Sequence, residues 1–397
     1  MSKNKKVLIY VETSRSTNRG SLKGIARYAK LCNSWEIIRQ PPFYMHHQQR
    51  KDFLNSLISW GVEGVIAQDS SDVIELINLG IPCISIIVQD KFPHIPMLVD
   101  DPQPLARMAF GHLRERGFVY YAFCGLKNFI WSQIRKEGFL AEVSRNGFSC
   151  EIFDLPQEAI SEVDETERNR LGKWLQDLPK PVGLFVCNDE CCEYVLKTCQ
   201  YFGFSVPCQI ALLGVDDDEM ICNFANPTLS SIALKNEYGG FEAAALLDCL
   251  MRKEIEMAGQ KIIVGPSYVV SRQSTDVLAI SNPVVISAIE YIRKCCRRPV
   301  QVQDVVEASA CSRRHLERLF RKYLGMSILD TIRQHRVEQI VRMLLETDET
   351  IQRIAYLLGF PGVEQLDRFF RQAKGVSPLN FRKQHIKLMS DKPVIIE

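Results

Sequence analysis

Two stretches of the sequence, LERLFRKYLGMS (Leu316–Ser327) and LDRFFRQAKGVS (Leu366–Ser377), repeat one pattern 50 positions apart. The Leu, the Phe, two Arg residues, the Gly and the Ser are shared between them. At about 100° per residue, Leu319 and Phe320 lie on the same helix face as Leu316, each within about 60° of it. The Arg residues lie on the other face. A repeated basic, amphipathic helix indicates two copies of one structural unit.

Each copy follows a shorter helical pattern and a turn. In the first, residues 302–308 precede a turn at Ala310, and Ser312 is a good N-cap for the basic helix. In the second, residues 351–358 precede Gly359, and a long helical pattern over residues 329–346 joins the copies. This arrangement is typical of the helix-turn-helix, so we predict an all-α domain with two such units.

Arg on the exposed face of the second helix can bind guanine through two hydrogen bonds, while Gln and Glu can contact adenine or cytosine. Two units on one spacer can enter successive major grooves. A helical bundle with a merely solvated Arg face is the alternative, and the preserved register of the repeat argues against it. We therefore predict DNA contacts from Ser312, Arg313, Arg314, Glu317, Arg318, Arg321, Glu364, Gln365, Arg368 and Arg371.

The charge distribution supports a polyanionic partner for the C-terminal part. Residues 281–397 contain 20 Lys and Arg against 13 Asp and Glu, whereas the rest of the chain contains 29 against 34. A net charge of +2 over 397 residues conceals this asymmetry.

The chain before the repeat alternates strand and helix patterns. Short apolar runs such as residues 7–11, 64–68, 183–188 and 210–216 are separated by amphipathic stretches. Continuous apolar strands between helices predict parallel, doubly wound sheets covered on both faces. About ten such strands are too many for one small sheet, so we expect an α/β domain with two lobes and a cleft.

Ligands of such sheets bind beyond the carboxyl ends of the strands. Carboxylate, amide and guanidinium groups there, with a Trp for an apolar sugar face, suit a polyhydroxylated ligand. The same Asp, Asn and Ser residues can equally be helix N-caps. The candidate ligand contacts are Asn18, Arg19, Asp69, Asp101, Trp131, Arg135, Asp189 and Asp216.

Several classes of protein are disfavoured. The sequence has no G-x-G-x-x-G, P-loop or G-x-S-x-G motif, although a glycosidase carboxylate pair leaves no sequence signature. The 14 Cys include Cys187, Cys191 and Cys192, but they lack metal-ligand spacing. No apolar run approaches the about 20 residues of a membrane span. We predict no cofactor, no metal, no membrane partner and a cytoplasmic location.

The motifs IQRIAYLLGF, FFRQAKGVSP and NFR (Asn380–Arg382) resemble those of AraC-type DNA-binding domains. The resemblance implies that Arg314, Glu317 and Arg318 contact bases in the first unit. It implies the same of four residues in the second unit, namely Val363, Glu364, Gln365 and Arg368. The chain departs from the family pattern in having Ala310 where Gly is common, and in having Gly362 and Val363 where more polar residues are common.

The stretches RGSLKGIARYA, FVCNDECCEYVL and LLGVDDDE resemble the sugar-binding domain of LacI/GalR-type regulators and periplasmic binding proteins. The combination is similar to the xylose operon regulator family. The resemblance implies ligand contacts at Arg135, Asp189 and Asp216, dimerisation through the N-terminal domain, and a pentose such as xylose as effector. We expect a sugar-binding domain over residues 1–275, a linker at 276–284, the DNA-binding domain over 285–388 and a tail at 389–397.

The sequence thus predicts a sugar-controlled transcription regulator that is not an enzyme. Its expected partners are double-stranded DNA and a small sugar, with RNA polymerase as a further candidate. Two alternatives stay open. The N-terminal domain could bind no sugar and serve for dimerisation or protein contact, or the chain could be an enzyme joined to a DNA anchor.

Overall fold

A computed structural model describes residues 4–39, 56–57, 59–68, 80–86, 94–156, 165–279, 282–347 and 349–386. The chain divides into two compact units. The first comprises residues 1–111 and 120–276, and the second comprises residues 112–119 and 277–397. The sequence did not predict that the short segment 112–119 groups with the second unit.

The first unit contains two six-stranded sheets. The first sheet has the order β11-β5-β4-β3-β1-β2, and the second has the order β12-β10-β9-β8-β6-β7. The strands are β1 (Lys5–Tyr10), β2 (Trp35–Arg39), β3 (Gly64–Gln68), β4 (Cys83–Ile86), β5 (Met97–Asp100), β6 (Tyr120–Leu126), β7 (Cys150–Leu155), β8 (Val182–Val186), β9 (Ile210–Val215), β10 (Ser230–Leu234), β11 (Lys261–Val264) and β12 (Pro266–Val270).

The described strand pairs are parallel, except that β12 pairs antiparallel with β10. The central strands are apolar throughout because helices cover both faces, and all of Val182–Val186 and Ile210–Val215 is buried. The helices are α1 (Ser16–Cys32), α2 (Pro102–Arg114), α3 (Ile130–Arg145), α4 (Glu165–Asp177), α5 (Asp189–Tyr201), α6 (Glu219–Phe224) and α7 (Asn236–Met251). The predicted α/β class with parallel sheets in two lobes is confirmed.

The second unit is helical from residue 283 to residue 386, apart from its turns. Its helices are α8 (Pro283–Cys295), α9 (Val302–Ala308), α10 (Arg313–Leu324), α11 (Ile328–Glu346), α12 (Ile351–Leu357), α13 (Val363–Lys374) and α14 (Pro378–Ile386). The pairs α9/α10 and α12/α13 are the two predicted helix-turn-helix units, and α11 is the predicted helix between them.

The apolar stripes of the repeat form the core of this unit. Leu316 and Phe320 are fully buried in the first copy, and Leu366 and Phe370 are fully buried at the matching positions of the second. Because these positions recur every three or four residues, one face of each basic helix is buried and the other stays exposed.

Two arginines connect α11 to elements that follow it in the chain. Arg336 is buried with its guanidinium 4.4 Å from the ring centre of Phe360, and it donates a hydrogen bond to the Leu358 carbonyl. Arg382, the last residue of the NFR motif, donates to the Leu344 carbonyl at 2.9 Å and to other carbonyls at the end of α11. These guanidinium groups bind carbonyls that have no partner inside a helix. Arg336 therefore fixes α11 against the turn of the second helix-turn-helix, and Arg382 fixes the end of α11 against α14.

Across the described helices, none is both long enough and apolar enough to cross a lipid bilayer.

The turns of the two helix-turn-helix motifs have different residues at the position with left-handed backbone, and this difference predicts opposite effects of matched substitutions. Ala310 and Gly359 both have left-handed backbone, with φ of 47° and 66°. A Cβ added to Gly359 would lie 2.7 Å from Cδ of Pro299. We expect Gly359→Ala to destabilise the domain by about 2 kcal/mol and Ala310→Gly to stabilise it by about 0.5–1 kcal/mol, measured by thermal unfolding.

Ala373→Gly is the control, because Ala373 is exposed within α13. There the same substitution as at Ala310 should cost about 1 kcal/mol. Equal effects of Ala310→Gly and Ala373→Gly would contradict the conformational explanation.

Candidate functional site

A cavity of about 100 Å³ lies in the first unit at the carboxyl ends of the strands. Both sheets contribute to its lining. Gln68 and Asp100 come from β3 and β5 of the first sheet, and Asn188 and Asp216 follow β8 and β9 of the second. Residues of α1, α3 and α7 add to the lining, including Asn18, Trp131 and Arg135. The two sheets therefore form one cavity with both polar and apolar walls, and among the described residues Trp131 is its aromatic member.

Arg135 is the central group of this cavity. It is 5% exposed, and its guanidinium donates to Asp100 Oδ2 at 2.6 Å, to Asp216 Oδ1 at 3.1 Å and to the Cys187 carbonyl. The Trp131 ring lies beside it, with 5.3 Å between the guanidinium carbon and the ring centre. The planar guanidinium holds carboxylates from both sheets in fixed positions, which a flexible Lys could not do as well.

The charges of this cluster are mutually dependent. Burial raises the pKa of Asp216 from 3.8 to about 6, although the Arg135 charge opposes the shift. Burial alone lowers the pKa of Arg135, but Asp100 and Asp216 raise it above its ordinary value. The guanidinium is therefore always charged, and Asp216 is mostly ionised at neutral pH.

Asn18 presents a polar atom that the fold does not satisfy. Its side chain is 4% exposed and lines the cavity, and its amide nitrogen has no hydrogen-bond partner among the described residues. A buried, unsatisfied donor costs free energy unless it binds something else. An acceptor atom placed next to this nitrogen would satisfy it.

Other sequence candidates have structural partners. Asp189 does not line the cavity. Its carboxylate accepts hydrogen bonds from the backbone N–H of Asp218 at 2.8 Å and from the Ser231 hydroxyl at 2.6 Å. Burial and the nearby Asp216 charge raise its pKa well above the ordinary value. Asp189 thus holds the turn that carries Asp216, where the backbone φ is 103°.

Arg19 also lies outside the cavity lining, and it pairs with Asp218 at 3.2 Å. Asp101 follows β5 but does not line the cavity, unlike its neighbour Asp100. Asp69 lies outside the described residues. The structure therefore brings together four of the eight candidates: Asn18, Trp131, Arg135 and Asp216.

The cavity also contains polar residues that the sequence did not single out as candidates: Arg15, Gln68, Asp100, Asn188 and Asn236. Asp100 ends β5, and Asn188 follows β8 and caps α5. Their place after a strand was a signal in the sequence, but it did not distinguish them from their neighbours Asp101 and Asp189. Asn236 follows β10, a short strand whose pattern was not recognised. Arg15 pairs with Glu190 at 2.9 Å, a contact that sequence reasoning could not foresee.

The first recognition helix, α10, exposes a dense cationic surface. Ser312 caps it by accepting a hydrogen bond from the His315 N–H, and Arg313, Arg314, Arg318 and Arg321 are exposed. In the described part of the chain, no ion pair involves these four arginines. Ser312, Arg314, His315, Glu317, Arg318 and Arg321 line one concave surface.

The second recognition helix, α13, is less basic. Glu364, Gln365 and Arg368 are exposed, whereas Arg371 pairs with Asp367 at 2.6 Å. The cap residue is Gly362, which offers no side chain to the helix. All ten candidate DNA contacts therefore lie on the outward faces or first turns of α10 and α13, with only Glu317 half-buried.

We expect Arg135→Met to destabilise the first unit by about 3–5 kcal/mol at about pH 7.5, because it leaves two carboxylates buried without a counter-ion. Asp216 has a folded pKa of about 6 against an ordinary 3.8, so its burial penalty is present above that pKa and relieved below it. The difference in free energy of unfolding between Arg135→Met and wild type, measured by denaturant unfolding, should therefore become smaller towards about pH 5.

Arg145→Met is the control. Arg145 forms an exposed pair with Glu142, so its loss should cost at most about 1 kcal/mol at either pH. A destabilisation by Arg135→Met that is the same at both pH values would contradict the role assigned to the Asp216 charge.

Comparisons with known proteins show similarity of both domains. Residues 110–275 match the periplasmic binding protein-like domain, and residues 305–384 match the helix-turn-helix domain. The chain is 27% identical over 398 residues to the xylose operon regulatory protein of Escherichia coli (strain K12), covering 98% of this chain and 99% of that protein. A solved structure described as the xylose-binding transcription activator xylR matches 96% of this chain and 98% of its own, with a TM-score of 0.59 and 25% identity.

The C-terminal part has a further relative. Over 117 residues, which are 30% of this chain and 88% of the relative, it is 30% identical to the multiple antibiotic resistance protein MarA of Escherichia coli (strain K12). The chain is thus similar over nearly its whole length to a xylose operon regulatory protein, and in it a periplasmic binding protein-like domain precedes a helix-turn-helix domain.

Proposed function

We propose that this protein is a sequence-specific DNA-binding transcription regulator controlled by a small sugar, with a pentose such as xylose as the favoured effector. The observation that carries the proposal is the cavity in which Arg135 positions two carboxylates, lined also by Asn18, whose amide nitrogen has no hydrogen-bond partner among the described residues. A ligand hydroxyl that accepts a hydrogen bond from this buried donor removes the free-energy cost of leaving it unpaired.

The cavity chemistry favours a polyhydroxylated molecule. Asp100 and Asp216 can accept hydrogen bonds from vicinal hydroxyls, and Asn18 and Asn188 can donate to them. Trp131 offers a flat apolar surface for the C–H face of a sugar ring. The similarity to a xylose operon regulatory protein and to a xylose-binding activator supports xylose among the candidate pentoses.

The DNA-binding surface is that of α10 and α13. Arg314 and Arg318 can bind guanine, and Gln365 can bind adenine, when the helices enter the major groove. The exposed cations also neutralise phosphates, which gives salt-dependent affinity independent of sequence. Two helix-turn-helix motifs make more base contacts than one, which explains why the chain contains the basic helix twice.

Control by the sugar requires two states with different affinities. Because residues of both sheets line the cavity, a ligand bound there favours the arrangement in which both sheets contact it. It can change DNA affinity only by its difference in affinity for the two arrangements. We further propose dimerisation through the N-terminal domain, contact with RNA polymerase and a cytoplasmic location, because a transcription regulator acts where the DNA is.

Two alternatives are separated by measurement. If the first unit serves only for dimerisation or protein contact, calorimetry with a panel of pentoses and hexoses gives no binding heat while DNA binding persists. If the chain is an enzyme with a DNA anchor, wild type converts a bound sugar to a product detectable by chromatography. Binding of a pentose without turnover supports the proposal over both.

Asn18→Ala should weaken sugar binding about tenfold without destabilising the fold, because the amide nitrogen has no partner to lose. Calorimetry gives the affinity, and thermal unfolding without sugar gives the stability. Lys23→Ala is the control on the same helix. Lys23 is exposed and is not part of the cavity lining, so its truncation should change sugar affinity less than about twofold. Unchanged affinity in Asn18→Ala would remove this residue from the site.

Arg318→Ala and Arg368→Ala should each cost about 1–3 kcal/mol of specific DNA binding and relax base preference in one half-element. Binding of labelled DNA at several salt concentrations measures both the affinity and the salt dependence. Arg145→Ala, on an exposed surface of the first unit, should leave both unchanged. If neither recognition-helix variant alters affinity or base preference, α10 and α13 are not the reading helices.

A further inference from the structure

The two reading helices have different chemistry in their first turns, although they are copies of one unit. With the repeat offset of 50, Ser312, Arg313, Arg314 and His315 correspond to Gly362, Val363, Glu364 and Gln365. The first turn of α10 is therefore cationic and capped by a side chain, while that of α13 is apolar and acidic and has no such cap. The residues later in the helix, Arg318 and Arg368, are the same.

The first turn matters because the N-terminal residues of a recognition helix contact base edges. In α10, Arg313 and Arg314 present donors, and guanine offers two acceptors in the major groove. Neither α13 residue at these positions can donate to guanine. Val363 has no polar atom in its side chain, and the Glu364 carboxylate repels the guanine acceptors.

Val363 has no evident role in folding the helix. It is the first residue of α13 and is 39% exposed, so it lies outside the core formed by Leu366 and Phe370. Val is also a poorer helix former than Ala or Glu. An exposed, branched apolar side chain at the point where a helix meets the major groove fits the one apolar group there, the C5 methyl of thymine.

The remaining cations of α13 reinforce the contrast. Arg371 is held by Asp367 at 2.6 Å, whereas the corresponding Arg321 of α10 is in no ion pair within the described chain. Helix α10 has five Lys and Arg against one Glu, and α13 has three against two carboxylates. The second helix thus attracts phosphate less and depends more on direct contact with bases.

We propose that the two units read different chemistry, with α10 directed at guanine and α13 at thymine through the methyl groups of Val363. This inference rests on the proposed DNA-binding function and states the base specificity of the second helix-turn-helix. The half-element under α13 should contain a thymine whose methyl packs against Val363, and the half-element under α10 should not depend on this residue.

Replacing thymine by uracil removes only the C5 methyl, so it tests the contact directly. A binding site is first selected from random duplexes with the full-length protein, in the presence of xylose and in its absence. The base positions whose preference Arg368→Ala relaxes identify the second half-element. Each thymine of the site is then replaced singly by uracil. One or two replacements in the second half-element should weaken wild-type binding about fourfold each, the loss expected for one buried methyl.

The same uracil series with Val363→Ala should show no loss beyond about 1.5-fold at those positions, because the protein side of the contact is gone. Val363→Thr keeps the branched shape and one methyl, so it should retain part of the sensitivity. Thermal unfolding of both variants shows whether the domain stays folded. Arg313→Ala, at the matching position of α10, should keep the full sensitivity to uracil.

Two results would overturn the inference while leaving the DNA-binding function intact: no uracil replacement in the second half-element weakens binding, or Val363→Ala remains as sensitive as wild type. Selection of no DNA at all would refute the proposed function and this inference with it.

Discussion

The buried guanidinium of Arg135 joins the two sheets of the first unit. It holds Asp100 at the end of β5 and Asp216 at the end of β9, so carboxylates from separate lobes lie around one fixed cation. Without this cation the two carboxylates would repel each other and lose most of their stabilisation in a site shielded from water. Trp131 also lies against this guanidinium, so the same cation positions the aromatic ring of the cavity.

The turn after β9 shows how a second layer supports that arrangement. Asp189 accepts hydrogen bonds from the Asp218 N–H and the Ser231 hydroxyl, and Ser16 N–H and Arg19 also donate to Asp218. These contacts keep Asp216 in left-handed backbone, which is costly for a residue with a side chain. The polar residues around the cavity therefore divide into those that line it and those that hold the lining residues in place.

The helical unit uses a different principle. One pattern of apolar residues generates the same core twice, and the exposed face is then free to vary. The stripe positions are identical or conservative between copies, whereas the first turns of the reading helices differ in charge and in polarity. Arg336 and Arg382 bind carbonyls at the ends of helices, so they position the helices around the second helix-turn-helix without being part of its outer surface.

The sequence by itself determined the secondary structure of the C-terminal domain, because an amphipathic repeat specifies both the helices and the face that is buried. The helices at 302–308 and 313–324, the Ser312 cap and the turn at Gly359 all follow from local patterns. It also determined the α/β class of the first unit, since apolar strands separated by helices have few other solutions. Edge and short strands such as β2 and β10 escaped detection because their patterns are mixed or brief.

Only the tertiary structure decided which polar residues at strand ends share a cavity. Asp100 and Asp101 are neighbours, as are Asn188 and Asp189, and local sequence gives each the same chance of capping a helix or facing a ligand. Successive residues leaving a strand point in different directions, and their partners come from residues far along the chain: Asp100 is bound by Arg135, and Asp189 by Ser231. Such long-range pairing depends on how the sheets and loops fold together, and no local pattern records it.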